Sequence, residues 1–130
     1  MPSELFWHPD LLQVLVMKFS GAVSLDEALD RTVEEGEFIK QADTKVHTII
    51  DLREVTGVPN DFLSVVPRIG TMPAASHPNA GYKVVVGARG LAKVFLDIFS
   101  NVVRRLIMVD TMEEAEAFLR EKLEEGGEQA

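Results

Sequence analysis

Short apolar runs alternate with stretches of helical spacing along this chain, and that alternation restricts its fold more than any other feature. Four runs are predicted to be strands, at residues 12–19, 46–52, 82–86 and 106–109. The first has apolar side chains on both faces at its centre, as a strand covered on both sides does. Strands separated by helices of about 10 to 15 residues are joined by right-handed crossovers into a mainly parallel sheet. The sequence therefore predicts a single layered α/β domain, with residues 5–7 as an additional antiparallel strand.

The helices can be placed from their capping residues and their apolar spacing. Ser24 and Thr111 each precede a glutamate by three positions, which is the capping-box pattern that satisfies free backbone amides at a helix start. The first of these helices is expected to reach about residue 42, and the second to end at Gly126-Gly127. Apolar side chains at helical spacing predict one more helix over residues 91–102.

The stretch between the second and third predicted strands, 46–52 and 82–86, is the least regular part of the chain, because it holds four of the six prolines. Asn60 is expected to cap a helix there, and Pro67 is expected to kink or break that helix because it has no amide to donate. The stretch has more apolar side chains than one helix face needs, so they either close the core or line a groove for an apolar ligand or a partner. The candidate groove residues are Phe62, Val65, Val66, Ile69 and Met72.

Composition and charge exclude several kinds of partner and chemistry. The 130 residues fit one domain, and a net charge of -8 argues against nucleic acid and anionic membranes, which both need a basic surface. The absence of cysteine excludes disulfides, thiolate metal sites and a thiol nucleophile. No apolar run has the length of a membrane span, and residues 1–4 lack the features of a secretion signal. A cytoplasmic protein without stable membrane insertion is expected.

Three features occur in an order that resembles a known family: Gly21 before the first helix cap, Asp51-Leu52 after an apolar strand, and the closing segment at residues 109–115. With Thr-Ile-Ile-Asp-Leu-Arg-Glu-Val-Thr at residues 48–56, this order resembles the STAS family, the sulfate-transporter and anti-sigma-factor-antagonist domains. The likeness spans roughly residues 12–122 and points to the bacterial SpoIIAA-like branch, which shares its architecture with CRAL-TRIO lipid-binding domains.

The resemblance implies a particular form of the α/β class. The expected fold is the SpoIIAA-like β-α superhelical fold, a mainly parallel sheet of about four or five strands with an N-terminal antiparallel strand and about four helices. The domain would span residues 1–125, and residues 126–130 would form a disordered tail.

The resemblance also draws attention to a residue that differs from the family pattern. In anti-sigma-factor antagonists of this family, the partner kinase phosphorylates a serine that caps the helix after the loop that follows Asp51. Asn60 stands at about that position, and an amide cannot accept the phosphate whose charge would reset partner affinity. The sequence therefore disfavours a phosphoswitch, and Thr56 and Ser64 are the candidate sites for an unrelated phosphorylation.

A non-catalytic STAS-like interaction module is predicted, with an unknown protein partner and a homodimeric state. The family presents partners on the loop after the central strand and on the helix that follows it. The predicted partner-binding residues are Asp51, Arg53, Thr56, Asn60, Asp61 and Ser64. The alternative, implied by the CRAL-TRIO likeness, is a carrier of a small apolar, lipid-like ligand in the candidate groove.

Signals for catalysis or metal binding are weak. The three histidines lack the spacing of a metal site, and the glycines at residues 87–90 fit a tight turn better than a nucleotide-binding loop. Asp51, at the predicted carboxyl end of its strand, is expected to be a turn-forming aspartate. No set of acid, base and nucleophile can be assembled, so no enzyme activity, metal or cofactor is predicted. An enzyme that uses Asp51, Arg53 or His77 is the least supported alternative.

Overall fold

In the computed structural model of the chain, which describes residues 3–59, 61–101 and 105–129, the apolar runs come together in one five-stranded sheet. The strands are β1 (Ser3–Trp7), β2 (Val14–Ala22), β3 (Val46–Gly57), β4 (Ala80–Val86) and β5 (Leu106–Val109). They lie side by side in chain order, with β1 antiparallel to β2 and all other pairs parallel. The predicted mainly parallel sheet with an N-terminal antiparallel strand is confirmed.

Both capping boxes open helices at the predicted positions. Ser24 Oγ accepts from the Glu27 amide at 3.1 Å before α1 (Leu25–Gln41). Thr111 Oγ1 accepts from the Glu114 amide at 3.1 Å before the last helix, α5 (Met112–Gln129). The predicted end of α5 at Gly126-Gly127 is wrong, because the helix continues to Gln129.

Three short helical segments, instead of one broken helix, follow β3. A 3-10 turn at Phe62–Val65 leads into α2 (Val66–Thr71) and α3 (Pro73–Ser76), and α4 (Leu91–Phe99) follows β4. Pro67 lies in the first turn of α2, where a helix does not need the amide that proline lacks. The described residues thus form five α-helices, not about four, while Asn60 itself lies outside them.

Alternate side chains of the strands point to opposite faces, so the sheet has two separate cores. One face packs against α5 through aliphatic side chains that include Val14, Ile49, Val84 and Leu119. The other face packs against α1 and α3, where the buried residues include Leu15, Ile39 and Ala74.

Two strand boundaries and one helix face differ from the prediction. Leu12 is 84% exposed in the turn before β2, which begins only at Val14. β3 extends to Gly57, five residues beyond the predicted end, so Asp51 lies inside the strand and not at its carboxyl end. The sequence spacing of Val33 predicts that it lies on the apolar face of α1, but its side chain is 52% exposed. Local apolar spacing missed these details because strand pairing and helix rotation are set by tertiary contacts.

The buried histidine of β3 is held by close backbone packing. His47 Nδ1 accepts from the Tyr82 amide at 2.9 Å, and the two rings pack 5.7 Å apart between centroids. A Cβ atom at Gly81 would lie 2.9 Å from the Val46 carbonyl oxygen and closer still to the His47 ring. Only glycine therefore allows β4 to approach β3 this closely.

His47 should make the stability of the fold depend on pH. Burial lowers the pKa of His47 to about 4, and the charges of Lys83, Arg105 and Lys45 act in the same direction. In the unfolded chain the ring takes up a proton near its ordinary pKa of about 6.5. Between these two values the unfolded state binds more protons, so the free energy of unfolding decreases as pH falls.

We expect a loss of about 2 kcal/mol between pH values of about 7 and 5, measured by urea denaturation. His47→Asn should remove most of this slope, because the asparagine Oδ1 can accept the Tyr82 amide without titrating. An unchanged slope in the variant would show that His47 is not the titrating group.

Candidate functional site

The most unusual side chains of the sheet are two buried charges on the face that α1 covers. Lys83 interrupts the apolar strand β4 and is 4% exposed, and Glu35 of α1 is 2% exposed. Lys83 Nζ donates to Glu35 Oε2 at 2.6 Å, and the hydroxyl of Thr48 donates to the same oxygen. Thr48 and Lys83 are register partners in β3 and β4. We call these three side chains the buried polar cluster; it joins α1 to two neighbouring strands.

The buried polar cluster is stable only as a unit. Moving a carboxylate or an ammonium from water into a protein interior costs several kcal/mol per ion. A close ion pair with a further hydrogen bond offsets this cost, and Glu35 has both. The loss of either charge would leave the other buried and uncompensated.

An apolar cavity of about 130 Å³ lies against the buried polar cluster, on the α1 side of the sheet. Glu35 and Lys83 both line it, so two of the three side chains of the cluster form part of the cavity wall. The other walls are mostly aliphatic and aromatic, and they come from several elements of this face: Phe19, Ile50, Phe62, Ile69, Ala75, Leu96 and Leu106. The cavity is therefore largely apolar, and one part of its wall carries a pair of opposite charges.

The cavity includes part of the groove expected from the sequence. Phe62 and Ile69 line it. Val65 is buried and Met72 is half-buried, and neither is among the described lining residues. The side chain of Val66 lies outside the described part of the structure. Sequence reasoning missed the charged wall, although a lysine within the apolar run of β4 was a visible signal.

Asp51 anchors a second region, at the carboxyl end of the sheet. It is 3% exposed, and its carboxylate accepts from the Arg53 amide at 3.1 Å and from Arg53 Nε and Nη2 at 2.9 Å each. Burial raises the pKa of Asp51, but the hydrogen bonds and the charge of Arg53 outweigh burial and hold that pKa below its ordinary value. Asp51 does accept from a nearby amide, as expected, but it does so within a strand and not in a turn.

The part of β3 beyond Asp51 is paired on one side in the described structure. Its pairing with β4 ends at Asp51 and Val86, whereas its pairing with β2 continues to Ala22 and Gly57. We call residues 53–57 the β3 tip. A cleft of about 320 Å³ lies between residues 55–57 of the β3 tip and the turn at residues 87–90, and Arg89 Nη2 of that turn donates to the Arg53 carbonyl at 3.3 Å.

Most of the predicted partner-binding residues lie at this same end of the sheet. Arg53, Thr56, Asp61 and Ser64 are exposed, and Ser64 Oγ donates to the Asp61 carbonyl at 2.6 Å. Asp51 is too deeply buried for direct contact, and Asn60 lies outside the described residues. The structure therefore leaves four of the six predicted residues exposed and buries Asp51.

The positions of the described residues do not support the catalytic or the metal-binding alternative. Asp51 is paired with Val86 at one end of β4, whereas His77 lies before the other end, with its Nδ1 accepting from the Asn79 amide at 3.0 Å. Within residues 3–59, 61–101 and 105–129, no three His, Asp or Glu side chains are grouped so that they could hold a metal ion. None of the helices in those segments is long and apolar enough to cross a membrane.

The buried ion pair yields a stability prediction. Glu35→Met or Lys83→Met alone should lower the free energy of unfolding by about 3 to 5 kcal/mol, because each leaves an uncompensated buried charge. The double variant should cost less than either single change, because it removes both charges. Urea denaturation of the four proteins measures the coupling between the two positions.

A matched control is the exposed pair of Glu37 and Lys40 in the same helix, whose charged atoms lie 3.0 Å apart. The same methionine changes there should alter stability by less than about 1 kcal/mol each. Simple additivity at Glu35 and Lys83 would contradict the structural role given to the pair.

No family model and no curated protein matches the sequence. Solved structures that match the backbone include the following three. An uncharacterized DUF3478-family protein of Shewanella loihica with a SpoIIAA-like fold has a TM-score of 0.63 and 13% identity, covering 90% of this chain and 91% of that chain. The anti-sigma factor antagonist SpoIIAA in its unphosphorylated form has a TM-score of 0.61 and 15% identity, covering 92% and 97%. A candidate anti-sigma factor antagonist of Thermotoga maritima has a TM-score of 0.59 and 18% identity, covering 92% and 93%. The chain thus has the α/β SpoIIAA-like fold that its sequence predicts.

Proposed function

We propose that this protein is a non-catalytic regulatory module that binds a protein partner through the β3 tip and the adjoining Phe62–Val65 turn. The observation that carries the proposal is the one-sided pairing of the β3 tip next to a cleft. The amide and carbonyl of Arg53 are already bonded to the Asp51 carboxylate and to Arg89, so the free edge begins after Arg53. A strand edge without a second neighbouring strand is a template for the backbone of another chain, and many peptide-binding domains use such an edge.

The side chains around this edge support a polar, directional contact. Arg53, Thr56, Asp61 and Ser64 are each exposed, and we call them the partner surface. Asp51 holds the Arg53 guanidinium through two hydrogen bonds of 2.9 Å, so less side-chain entropy is lost when a partner binds. Asp51 thus acts on the partner surface as a positioning residue.

The solved structures that share this fold support a protein as the partner. SpoIIAA is named for its antagonism of an anti-sigma factor, and it shares the fold of this chain. Asn60 belongs to the proposal through the sequence alone; an asparagine there means that partner binding is not switched by phosphorylation at that position. A bacterial, cytoplasmic setting is also part of the proposal, supported by the absence of cysteine.

The proposal includes a homodimer that leaves the partner surface open. Val94 and Ile98 lie one turn apart on α4 and are 53% and 40% exposed. Side chains at this spacing share one helix face, and burying them against a second copy would remove apolar surface from water.

Reversing one charge on the partner surface should abolish partner binding without unfolding the protein. Asp61→Lys is expected to reduce partner recovery in a quantitative pull-down by about tenfold or more, the size of effect seen at interface positions. The control is Asp43→Lys, an equal charge change at an exposed position before the opposite end of β3. It should leave recovery and the melting curve unchanged.

Equal recovery with both variants would rule out this surface as the binding site. Sedimentation velocity at micromolar concentration should give a dimer for the wild type and both variants. A monomer in all three would remove the homodimer from the proposal.

The cavity supports a second candidate, a carrier of a small apolar ligand. Its walls are largely apolar, as in ligand-binding sites, but pockets for drug-sized ligands enclose about 300 to 1,000 Å³. An apolar cavity of about 150 Å³ binds benzene. At about 130 Å³, the cavity beside the buried polar cluster holds a molecule of that size, and a whole lipid would require the short helices to move.

Native mass spectrometry of protein purified from cells without detergent should then show a bound mass of roughly 150 Da or less, given the cavity size. Ala75→Phe places an aromatic ring in the cavity wall and should release the bound molecule at a stability cost of about 1 to 3 kcal/mol. Identical spectra of wild type and variant, with no added mass, would count against the carrier.

A further inference from the structure

We propose that the cavity binds small neutral amphiphiles that carry a single hydroxyl group, and that the Glu35/Lys83 pair recognises this hydroxyl. The inference rests on the carrier function and adds the chemical class of the ligand. Its basis is the combination of an apolar space of about 130 Å³ with a single ion pair in its wall.

The ion pair retains hydrogen-bonding capacity. An ammonium has three N–H donors and a carboxylate offers about four acceptor sites. Among the described residues, Lys83 Nζ bonds only to Glu35 Oε2, which also accepts from the Thr48 hydroxyl. No described residue donates to Glu35 Oε1. A ligand in the cavity can therefore meet both a donor and an acceptor on adjacent groups.

A hydroxyl fits this pair because one oxygen atom both donates and accepts. It can donate to the Glu35 carboxylate while accepting from the Lys83 ammonium. A methyl group of similar size would leave both capacities unused, and hydrogen bonds to charged groups contribute more than neutral ones.

Charge favours a neutral ligand. Glu35 and Lys83 neutralise each other at 2.6 Å, and their side chains are only 3% and 5% exposed. A carboxylate in the same place would have to share Lys83 with Glu35, and an ammonium would have to share Glu35 with Lys83. Either ligand would leave the site with one uncompensated buried charge. Burying an unpaired charge is far more costly than burying a hydroxyl.

The remaining walls set the size and the body of the ligand. Phe19, Phe62, Ile69 and Leu96 offer aromatic and aliphatic contacts and no charge. A cavity of similar volume accepts a single benzene ring. A phenol-sized molecule therefore satisfies both the volume and the polar wall.

The test is a calorimetric titration of the full chain with four probes that share one ring: phenol, toluene, benzoate and benzylamine. Phenol should bind about tenfold more tightly than toluene, because the hydroxyl meets charged partners. Benzoate and benzylamine should each bind at least about tenfold more weakly than phenol, because each adds an unpaired buried charge.

Two variants test whether the preference for phenol comes from the ion pair and whether binding takes place in the cavity. Glu35→Met/Lys83→Met keeps an apolar cavity without the pair, so toluene should bind at least as well as phenol. Ala75→Phe should weaken both ligands together, because it fills the space itself. If circular dichroism shows that the double variant does not fold, the ranking of the four probes on the wild-type protein still decides the question.

The failures of the two proposals can be told apart. Absence of binding by both phenol and toluene at millimolar concentration would overturn this inference and the carrier function together. Toluene binding as tightly as phenol would overturn the recognition by Glu35 and Lys83 but leave a carrier of apolar ligands. The recognition by Glu35 and Lys83 would also be overturned if benzoate or benzylamine bound more tightly than phenol, or if the preference for phenol over toluene survived in the double variant.

Discussion

The hydrogen-bonded ion pair between Glu35 and Lys83 determines how one whole face of the sheet is covered. Glu35 reaches Thr48 of β3 and Lys83 of β4 with the same oxygen atom, so α1 is held over both strands at once. A rotation of α1 about its axis would remove two charged groups from their only described partners. Apolar contacts would tolerate small shifts, because they are non-directional. The polar cluster therefore fixes an orientation that hydrophobic packing alone would leave looser.

The residue after Glu35 lets the rest of this face assemble. Gly36 is buried, and a Cβ there would lie 3.3 Å from the Ala74 amide nitrogen and 3.4 Å from the Pro73 side chain. α3 can therefore pack closely against α1, and it keeps Glu35 away from water. The opposite face needs no such arrangement: α5 lies on it with aliphatic side chains such as Leu119. The cavity lies on the face that is covered by several short segments and a polar anchor.

The sequence was sufficient to predict what depends on local patterns. The strands, both capping boxes and the parallel order follow from apolar spacing and from hydroxyl and carboxylate pairs three residues apart. Local patterns could not pair Glu35 with Lys83, which lie 48 positions apart, because charged residues on a helix normally face water.

The end of β3 and the helical segments after it were predicted incorrectly for related reasons. The residues of the β3 tip have the polar pattern of a loop in the sequence, so the end of β3 was predicted too early. Their side chains are exposed because this part of the strand is paired only with β2 among the described residues. Pro67 predicts a break but not the three short segments that replace a single helix, because their lengths are set by packing against the sheet.

The Phe62–Val65 turn connects the two proposed sites physically. Phe62 lines the cavity, while Ser64, two residues on, is exposed on the partner surface with its hydroxyl on the Asp61 carbonyl. Proximity alone does not couple two sites. A ligand changes partner affinity only if it has different affinities for two conformations of the connecting element. A short 3-10 turn with few intrinsic hydrogen bonds is an element that can have two such conformations at low energetic cost. Coupling would therefore appear as a change in partner affinity on filling the cavity, and equal affinities would show two independent sites on one scaffold.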